Sequence, residues 1–142
     1  EKENYTQIVV HQFISLLYPI ERIKKNNISF KIDSNSDFSK IVKFKQTIIE
    51  NLDQNISIQD YSNRLGVSSK KLTALAKQYT ELTPANLIKE IKILEAKRML
   101  SSQSISIKEV AYSLGFEQPT YFTKFFKKEV KVTPKQFQEQ LL

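Results

Sequence analysis

The chain has 142 residues, of which 40% are hydrophobic and 26% charged, and it carries a net charge of +7. This length fits one ordinary domain or two very small ones, the composition is that of a globular protein, and the basic charge fits nucleic acid or another anionic partner. The absence of cysteine and the single histidine, His11, exclude disulfides, thiol nucleophiles and clusters of Cys or His ligands for a metal.

No apolar run reaches the ~18 residues that a membrane span needs, and no signal-peptide pattern opens the chain. We therefore expect a cytoplasmic protein that does not contact membranes. We predict no cofactor, no metal site and no catalytic residue, because the sequence contains no Ser/His/acid set, no phosphate-binding glycine loop and no metal-ligand cluster. An enzyme is therefore the weakest of the function classes considered.

The first predicted element is an amphipathic helix at about 4–20, where apolar residues recur at helical spacing. Pro19 marks its end or a kink. The polar stretch 24–37 follows and is interpreted as a linker. The apolar stripe of the helix must be covered, either by the rest of the chain, by a second copy or by another domain. Its residues are Ile8, Val9, Phe13, Leu16, Leu17 and Ile20.

Two further helices are predicted from caps and periodicity. Ser36 or Asp37 can cap a helix that continues to the Asn51 region. A long helix starts with Thr83 as N-cap and Pro84 as first residue, and it ends near Leu100. The apolar residues that the first of these helices presents are Phe38, Ile41, Ile48, Ile49 and Leu52.

An internal repeat flanks the long helix. Residues 57–66 align with 106–115 at an offset of 49, so that the only two glycines of the chain, Gly66 and Gly115, coincide. One inserted residue then shifts the offset to 50, and Thr83-Pro84 aligns with Thr133-Pro134. The chain therefore contains two copies of one supersecondary unit.

Each copy has the pattern of a helix-turn-helix. A small residue, Ser62 or Ala111, lets a second helix cross the first closely. The glycine four positions later turns the chain in a left-handed backbone conformation without a steric penalty. A new cap, Ser68 in the first copy, then starts a helix rich in Lys and Thr. The alternative is a plain helical bundle that serves as an interaction scaffold.

The residues from about 41 to 142 resemble the DNA-binding domain of AraC/XylS-type transcription regulators. The resemblance lies in S-I-K-E-V-A-Y-S-L-G-F, in Y-F-T-K-F-F-K-K, in T-P-K-Q-F and in L-E-A-K-R-M-L on the long helix. The sequence departs from the family at five positions. Family members often have Arg where this chain has Ala74, Lys92 and Lys124, an aromatic residue at Ala76 and a glycine at Lys131.

The resemblance implies an all-α fold in which a linker helix at about 84–100 holds two helix-turn-helix subdomains, at about 57–80 and 106–130. It divides the chain into a DNA-binding domain at 37–142 and a region at 1–36, which is either a dimerisation element or the remnant of a sensor domain. The partners that it implies are double-stranded DNA and RNA polymerase. The uncovered apolar stripe of the N-terminal helix adds a second copy as a partner, bound through residues 1–27. Activation is the expected mode of regulation.

Helical phase separates the faces of the two helices that would enter DNA. The buried faces are predicted to contain Leu72, Leu75 and Tyr79 in the first copy, and Phe122, Phe125 and Phe126 in the second. The candidate base contacts are Ser69, Lys70, Thr73, Ala74, Gln118, Thr120, Tyr121 and Lys124. The candidate phosphate contacts are Lys71, Lys77, Lys127 and Lys128.

Overall fold

The computed structural model describes residues 36–102 and 104–141, which belong to one compact unit. The predicted N-terminal amphipathic helix, the linker after it up to residue 35, His11 and the dimerisation segment 1–27 lie outside the described residues. Within the described ranges every regular element is an α-helix, which confirms the all-α prediction for this part of the chain. The proposed division of the whole chain into an N-terminal region and a DNA-binding domain stays a prediction.

Seven helices follow one another along the described part of the chain. They are α1 (Asp37–Glu50), α2 (Ile58–Arg64), α3 (Ser69–Thr80), α4 (Pro84–Leu100), α5 (Ile107–Ser113), α6 (Pro119–Val130) and α7 (Pro134–Glu139). The predicted repeat corresponds to α2–α3 and α5–α6, which we call the first and second repeat units. The linker helix α4 follows the first unit as α7 follows the second.

The helix starts follow from capping side chains. The hydroxyl of Ser36 accepts a hydrogen bond from the Ser39 amide and caps α1, and Ser68 caps α3 in the same way through Lys71. Thr83 is the N-cap of α4 and Pro84 is its first residue, as predicted. Such a cap contributes about 1 kcal/mol by satisfying a backbone N–H that the helix leaves without a partner.

Both turn glycines have the predicted left-handed conformation, with φ of 65° at Gly66 and 78° at Gly115. Two residues other than glycine share it. Glu81 (φ 62°) ends α3 and Lys131 (φ 73°) ends α6, and the two positions are equivalent in the repeat. Lys131 is the position where the resemblance leads one to expect glycine, so its backbone conformation explains that expectation.

The core is made of apolar side chains from α1 to α6 that pack between the repeat units and α4. Of the five apolar residues that the sequence assigns to α1, Ile41, Ile48 and Leu52 are buried, and Leu52 lies just after the end of α1. Phe38 and Ile49 are 48% and 58% exposed. The predicted burial was wrong for Tyr79, which is 39% exposed, and Phe125 is only half-buried. The largest fully buried side chains are those of Phe44, Ile48, Leu72, Leu75, Leu100, Leu114, Phe122 and Phe126.

These exposed residues have identifiable surroundings. The rings of Phe38 and Tyr79 contact each other edge to face, with centroids 5.7 Å apart, so each ring covers part of the other at the surface. Ile49 lies in an open groove of about 500 Å³ between α1 and α4, together with Leu94. Helical periodicity predicts which residues share a face but not whether a neighbouring element covers its edges.

Candidate nucleic-acid interface

The turn of each repeat unit is built from the same backbone hydrogen bonds. In the first unit the amide of Val67 donates to the carbonyl of Ser62 at 3.1 Å, across Gly66. In the second, the amide of Phe116 donates to the carbonyl of Ala111 at 3.0 Å. Both small residues are fully buried, so the two helices of each unit cross closely at that point, as the sequence predicts.

The second helix of the first unit, α3, buries Leu72 and Leu75 and turns Lys70, Ala74 and Lys77 toward solvent. The predicted phase of this helix is thus confirmed for these residues. No acidic residue occurs within α3, whereas it carries three lysines. Its outward face is therefore basic.

Two hydroxyl groups predicted to contact bases on α3 are half-buried and already donate hydrogen bonds. The Ser69 hydroxyl donates to the side-chain oxygen of Gln59 on α2 at 2.8 Å. The Thr73 hydroxyl donates to the carbonyl of Ser69 at 2.9 Å. Thr73 therefore offers its methyl group and acceptor lone pairs, rather than its proton, to a ligand.

The second helix of the second unit, α6, fully buries Phe122 and Phe126. Its N-cap is Gln118, whose side chain makes no capping hydrogen bond, and Pro119 is the first helical residue. Outward-facing residues follow along one surface of the helix. Those predicted from the sequence and exposed in the structure are Gln118, Thr120, Tyr121, Lys124, Lys127 and Lys128.

The single acidic residue of α6 is held by the linker helix. The carboxylate of Glu129 lies 3.3 Å from the ammonium group of Lys89 on α4. Because Glu129 is paired in this way, its charge is directed toward α4 rather than toward the lysines at positions 124, 127 and 128. The outward face of α6 is therefore basic, like that of α3.

Lys71 differs from the other candidate phosphate contacts because it takes part in an ion pair. Its ammonium group donates to the carboxylate of Asp37, the first residue of α1, at 2.6 Å. This hydrogen bond from Lys71 is the main cause that holds the pKa of Asp37 below its usual value, and Lys40 adds to the effect. These two residues lie far apart along the chain, and no pattern in the sequence links them.

Lys92, for which no contact to DNA is predicted, lies against the turn that precedes α6. The ammonium group of Lys92, on α4, donates to the carbonyl of Leu114 at 2.9 Å and lies 5.6 Å from the centroid of the Phe116 ring. Burial lowers the pKa of Lys92 below its usual value, and the charge of Asp53 opposes this shift. The only signal in the sequence was a cation at a position where the related family often has Arg.

Among residues 36–102 and 104–141, no group of three or more His, Cys, Asp or Glu side chains could hold a metal ion. No helix in these ranges is both long and apolar enough to cross a membrane.

Comparisons with known proteins agree with this geometry. Residues 61–140 match the model of a family described as a helix-turn-helix domain, which is more than half of the chain. The chain is 38% identical over 80 residues to histidine kinase P4 of Formosa agariphila. It is also 38% identical over 90 residues to an uncharacterized HTH-type transcriptional regulator in the cgkA 5' region of Pseudoalteromonas carrageenovora.

These matches cover 56% and 63% of this chain. They cover only 6% of the kinase and 53% of the regulator, so the chain spans a minor part of the first relative and about half of the second. Among solved structures, an AraC-type DNA-binding domain-containing transcriptional regulator from Chromobacterium violaceum superposes with a TM-score of 0.66 at 24% identity. That match covers 72% of this chain and 92% of the other.

Proposed function

The chain belongs to the AraC-type helix-turn-helix family, and on that premise we propose that it is a sequence-specific, double-stranded DNA-binding regulator of transcription. In this proposal α3 and α6, which we now call the reading helices, enter two successive segments of the major groove. No catalytic step is part of the proposed function.

One observation carries the proposal. Each of the two repeat units ends its first helix in a left-handed glycine turn and then presents a helix whose inner face is buried and whose outer face is basic. The major groove of DNA admits one α-helix. Lysines along the outer face of such a helix neutralise phosphates, while other side chains of the helix contact base edges. Two such units in one chain support a two-part binding site.

We assign base contacts to the outward residues near the start of each reading helix. Lys70 and Lys124 can donate to guanine O6 and N7, and Gln118 can pair with adenine. Ala74 and the Thr73 methyl group offer apolar contact to a thymine methyl group. The other candidates for base contact are Ser69, Thr120 and Tyr121, of which Ser69 is half-buried.

We assign phosphate contacts to four lysines on the same helices. Lys71 is next to Lys70, and the others lie closer to the C-terminal ends of α3 and α6: Lys77, Lys127 and Lys128. Phosphate contacts position a protein on the duplex and make its affinity depend on salt, but they carry no sequence information. Lys71 can contact a phosphate only if its ammonium group leaves Asp37, or if it donates one N–H to the carboxylate and another to the phosphate.

The wider role of the protein extends the same proposal. We propose that it acts in the cytoplasm and activates transcription beside RNA polymerase. We also propose that residues 1–27 mediate formation of a homodimer. The names of the relatives support regulation in general, since one of them is an HTH-type transcriptional regulator.

Selection of bound duplexes from a random pool tests the central proposal. We expect the chain to enrich a two-part motif whose half-sites are centred about one helical turn, roughly 10–10.5 base pairs, apart. A helical scaffold without sequence-specific DNA binding would enrich no motif, and that outcome would refute the proposal.

A matched pair of variants separates reading from general charge. Replacing Lys70 and Lys124 by Ala removes two positive charges from the reading helices and should erase the motif. Replacing Lys45 and Lys97 by Ala removes the same charge from the groove between α1 and α4. This control variant should enrich the motif of the unaltered protein.

A further inference from the structure

The turn of the second repeat unit lies directly against the loop that follows α1. A Cβ atom on Gly115 would lie 2.7 Å from the carbonyl oxygen of Asp53 and 3.1 Å from that of Leu52. A Cβ atom on Gly66, the equivalent residue of the first unit, would meet nothing within 4 Å. The two glycines therefore make the same turn, but only Gly115 also permits a close approach between backbones.

Lys92 holds the same turn from the side of the linker helix. Its ammonium group donates to the carbonyl of Leu114, which is the C-cap of α5, and it lies over the ring of Phe116. A cation at the end of a helix stabilises carbonyls that have no partner within the helix. The charge of Asp53 acts on Lys92 as well, so the loop after α1, the linker helix and the turn meet at one place.

The position of this turn is transmitted to the reading helix α6 by aromatic packing. The ring of Phe116 lies 5.5 Å from that of Phe122 and 5.2 Å from that of Phe125, measured between centroids. Both phenylalanines belong to α6, and Phe122 is fully buried. Since closely packed rings move together, a shift of the turn relative to Lys92 and Asp53 displaces α6.

We propose that Asp53, Lys92 and Gly115 form a junction that fixes α6 relative to α3, and that Lys92 is a positioning residue that determines which half-site spacing the protein accepts. The inference rests on the proposed function and goes beyond it, because it assigns spacing selectivity to residues that do not touch DNA. The linker helix joins the units through one covalent connection. The junction adds a contact between the turn of the second unit and the loop that follows α1. Helix α1 in turn contacts α3 through Asp37 and Lys71 and through the rings of Phe38 and Tyr79.

A merely structural role of Lys92 makes a different prediction. If Lys92 only stabilised the fold, its loss would lower the melting temperature. Any loss of affinity would then be the same factor for every duplex, whatever its half-site spacing. If it positions α6, its loss makes the protein tolerate half-sites that are closer together or further apart. The spacing profile therefore separates the two roles.

The test measures the Kd of the full chain for duplexes that carry both selected half-sites at the selected spacing or with one base pair added or removed. One base pair rotates a half-site by about a tenth of a helical turn, and we expect a rigid protein to lose roughly tenfold in affinity. Lys92→Met should reduce this penalty to about threefold or less while the affinity for an isolated half-site stays within about twofold. Lys92→Arg should restore the penalty.

Lys97→Met is the matched control, because it removes the same charge from the same helix at a side chain that lines the groove toward α1. It should keep the spacing profile of the unaltered protein. Lys92→Gln is measured in parallel and decides the outcome if Lys92→Met does not fold. An unchanged spacing profile in the folded Lys92 variants overturns the proposal.

A readout without DNA keeps the inference separate from the proposed function. Because the chain contains no cysteine, spin labels can be placed at Gln78→Cys on α3 and Lys128→Cys on α6 without removing native thiols. Pulsed electron paramagnetic resonance should give a narrow distribution of distances between the two labels. Lys92→Met should broaden this distribution, and Lys97→Met should not. An unchanged distance distribution refutes the proposed junction even if the protein selects DNA. Failure to select any motif refutes only the proposed function.

Discussion

The ammonium group of Lys71, on a reading helix, lies 2.6 Å from the carboxylate of Asp37 at the start of α1. Both side chains are substantially exposed, and exposed ion pairs of this kind contribute little to stability because water and salt screen them. A DNA phosphate can therefore compete with Asp37 for this lysine. The pair also keeps one negative charge beside a basic surface, where it weakens attraction to DNA.

Replacing Asp37 by Asn should strengthen binding to nonspecific duplex DNA. It releases Lys71 and removes the nearby negative charge, so the plot of log K against log salt should steepen by up to about one unit. Fluorescence anisotropy over a range of salt concentrations measures both effects. Glu50→Gln, at the other end of α1, changes the net charge equally and should have the smaller effect. Equal effects of the two variants would show that only net charge matters.

Two lysines one turn apart on α6 should behave differently. Lys124→Ala should weaken binding to the selected site by ~1–3 kcal/mol and affect nonspecific DNA less, because it removes a contact to bases. Lys127→Ala should weaken both alike and reduce the salt slope by about one unit. Competition titrations with specific and nonspecific duplexes measure the difference. An unchanged sequence preference in Lys124→Ala would mean that the assigned face of α6 is wrong.

The two turn glycines provide a comparison of stability. Gly66→Ala should destabilise the protein by about 1–2 kcal/mol, the usual cost of a left-handed conformation for a residue with a Cβ atom. Gly115→Ala adds a clash with the backbone of Asp53, so its total cost should reach about 2–5 kcal/mol. Urea unfolding followed by circular dichroism gives both values. Equal losses would contradict the close approach at Gly115.

The capping box of α5 should make stability depend on pH. The Ser106 hydroxyl and amide both donate to the carboxylate of Glu109, and this holds the pKa of Glu109 below its usual value of 4.5. The stabilisation is therefore present above pH 4.5 and is lost as the pH falls through the lowered pKa in the folded state. Glu109→Gln should melt at a lower temperature than the unaltered protein at pH 7, and the gap should close in acid.

The box at the start of α7 is the control for this measurement. There Gln136 accepts hydrogen bonds from Thr133 in the same geometry but does not titrate. Gln136→Glu should therefore introduce a pH-dependent gain in stability, of the kind that Glu109→Gln removes. The difference in melting temperature between the unaltered protein and Glu109→Gln should disappear below the lowered pKa of Glu109. If this difference persists unchanged there, the explanation is wrong.

The features that sequence reasoning predicted well are local ones. The turns at Gly66 and Gly115, the cap at Ser68 and the Thr83-Pro84 helix start depend on residues within a few positions of one another. The internal repeat then placed both reading helices, because two copies of one pattern restrict each other's interpretation. The outward phase of α3 and α6 followed from the spacing of buried leucines and phenylalanines.

The features that it missed depend on contacts between distant parts of the chain. Nothing near Asp53 in the sequence indicates that its carbonyl lies against Gly115. The sequence marks Lys92 only as a cation where the related family often has Arg, and it does not indicate which groups this cation contacts. Ile49 and Tyr79 fall on apolar stripes, yet no described element covers them fully. Tertiary neighbours decide these points, and a single sequence does not contain them.

The left-handed C-caps at Glu81 and Lys131 have a consequence for engineering and for evolution. Each reading helix ends in a conformation that glycine adopts without a steric penalty, so Glu81→Gly and Lys131→Gly should each raise stability, by up to about 1 kcal/mol. Both positions lie outside the assigned base contacts. The protein thus has two sites where a gain can offset the losses caused by new residues on the reading faces, which makes its specificity open to redesign.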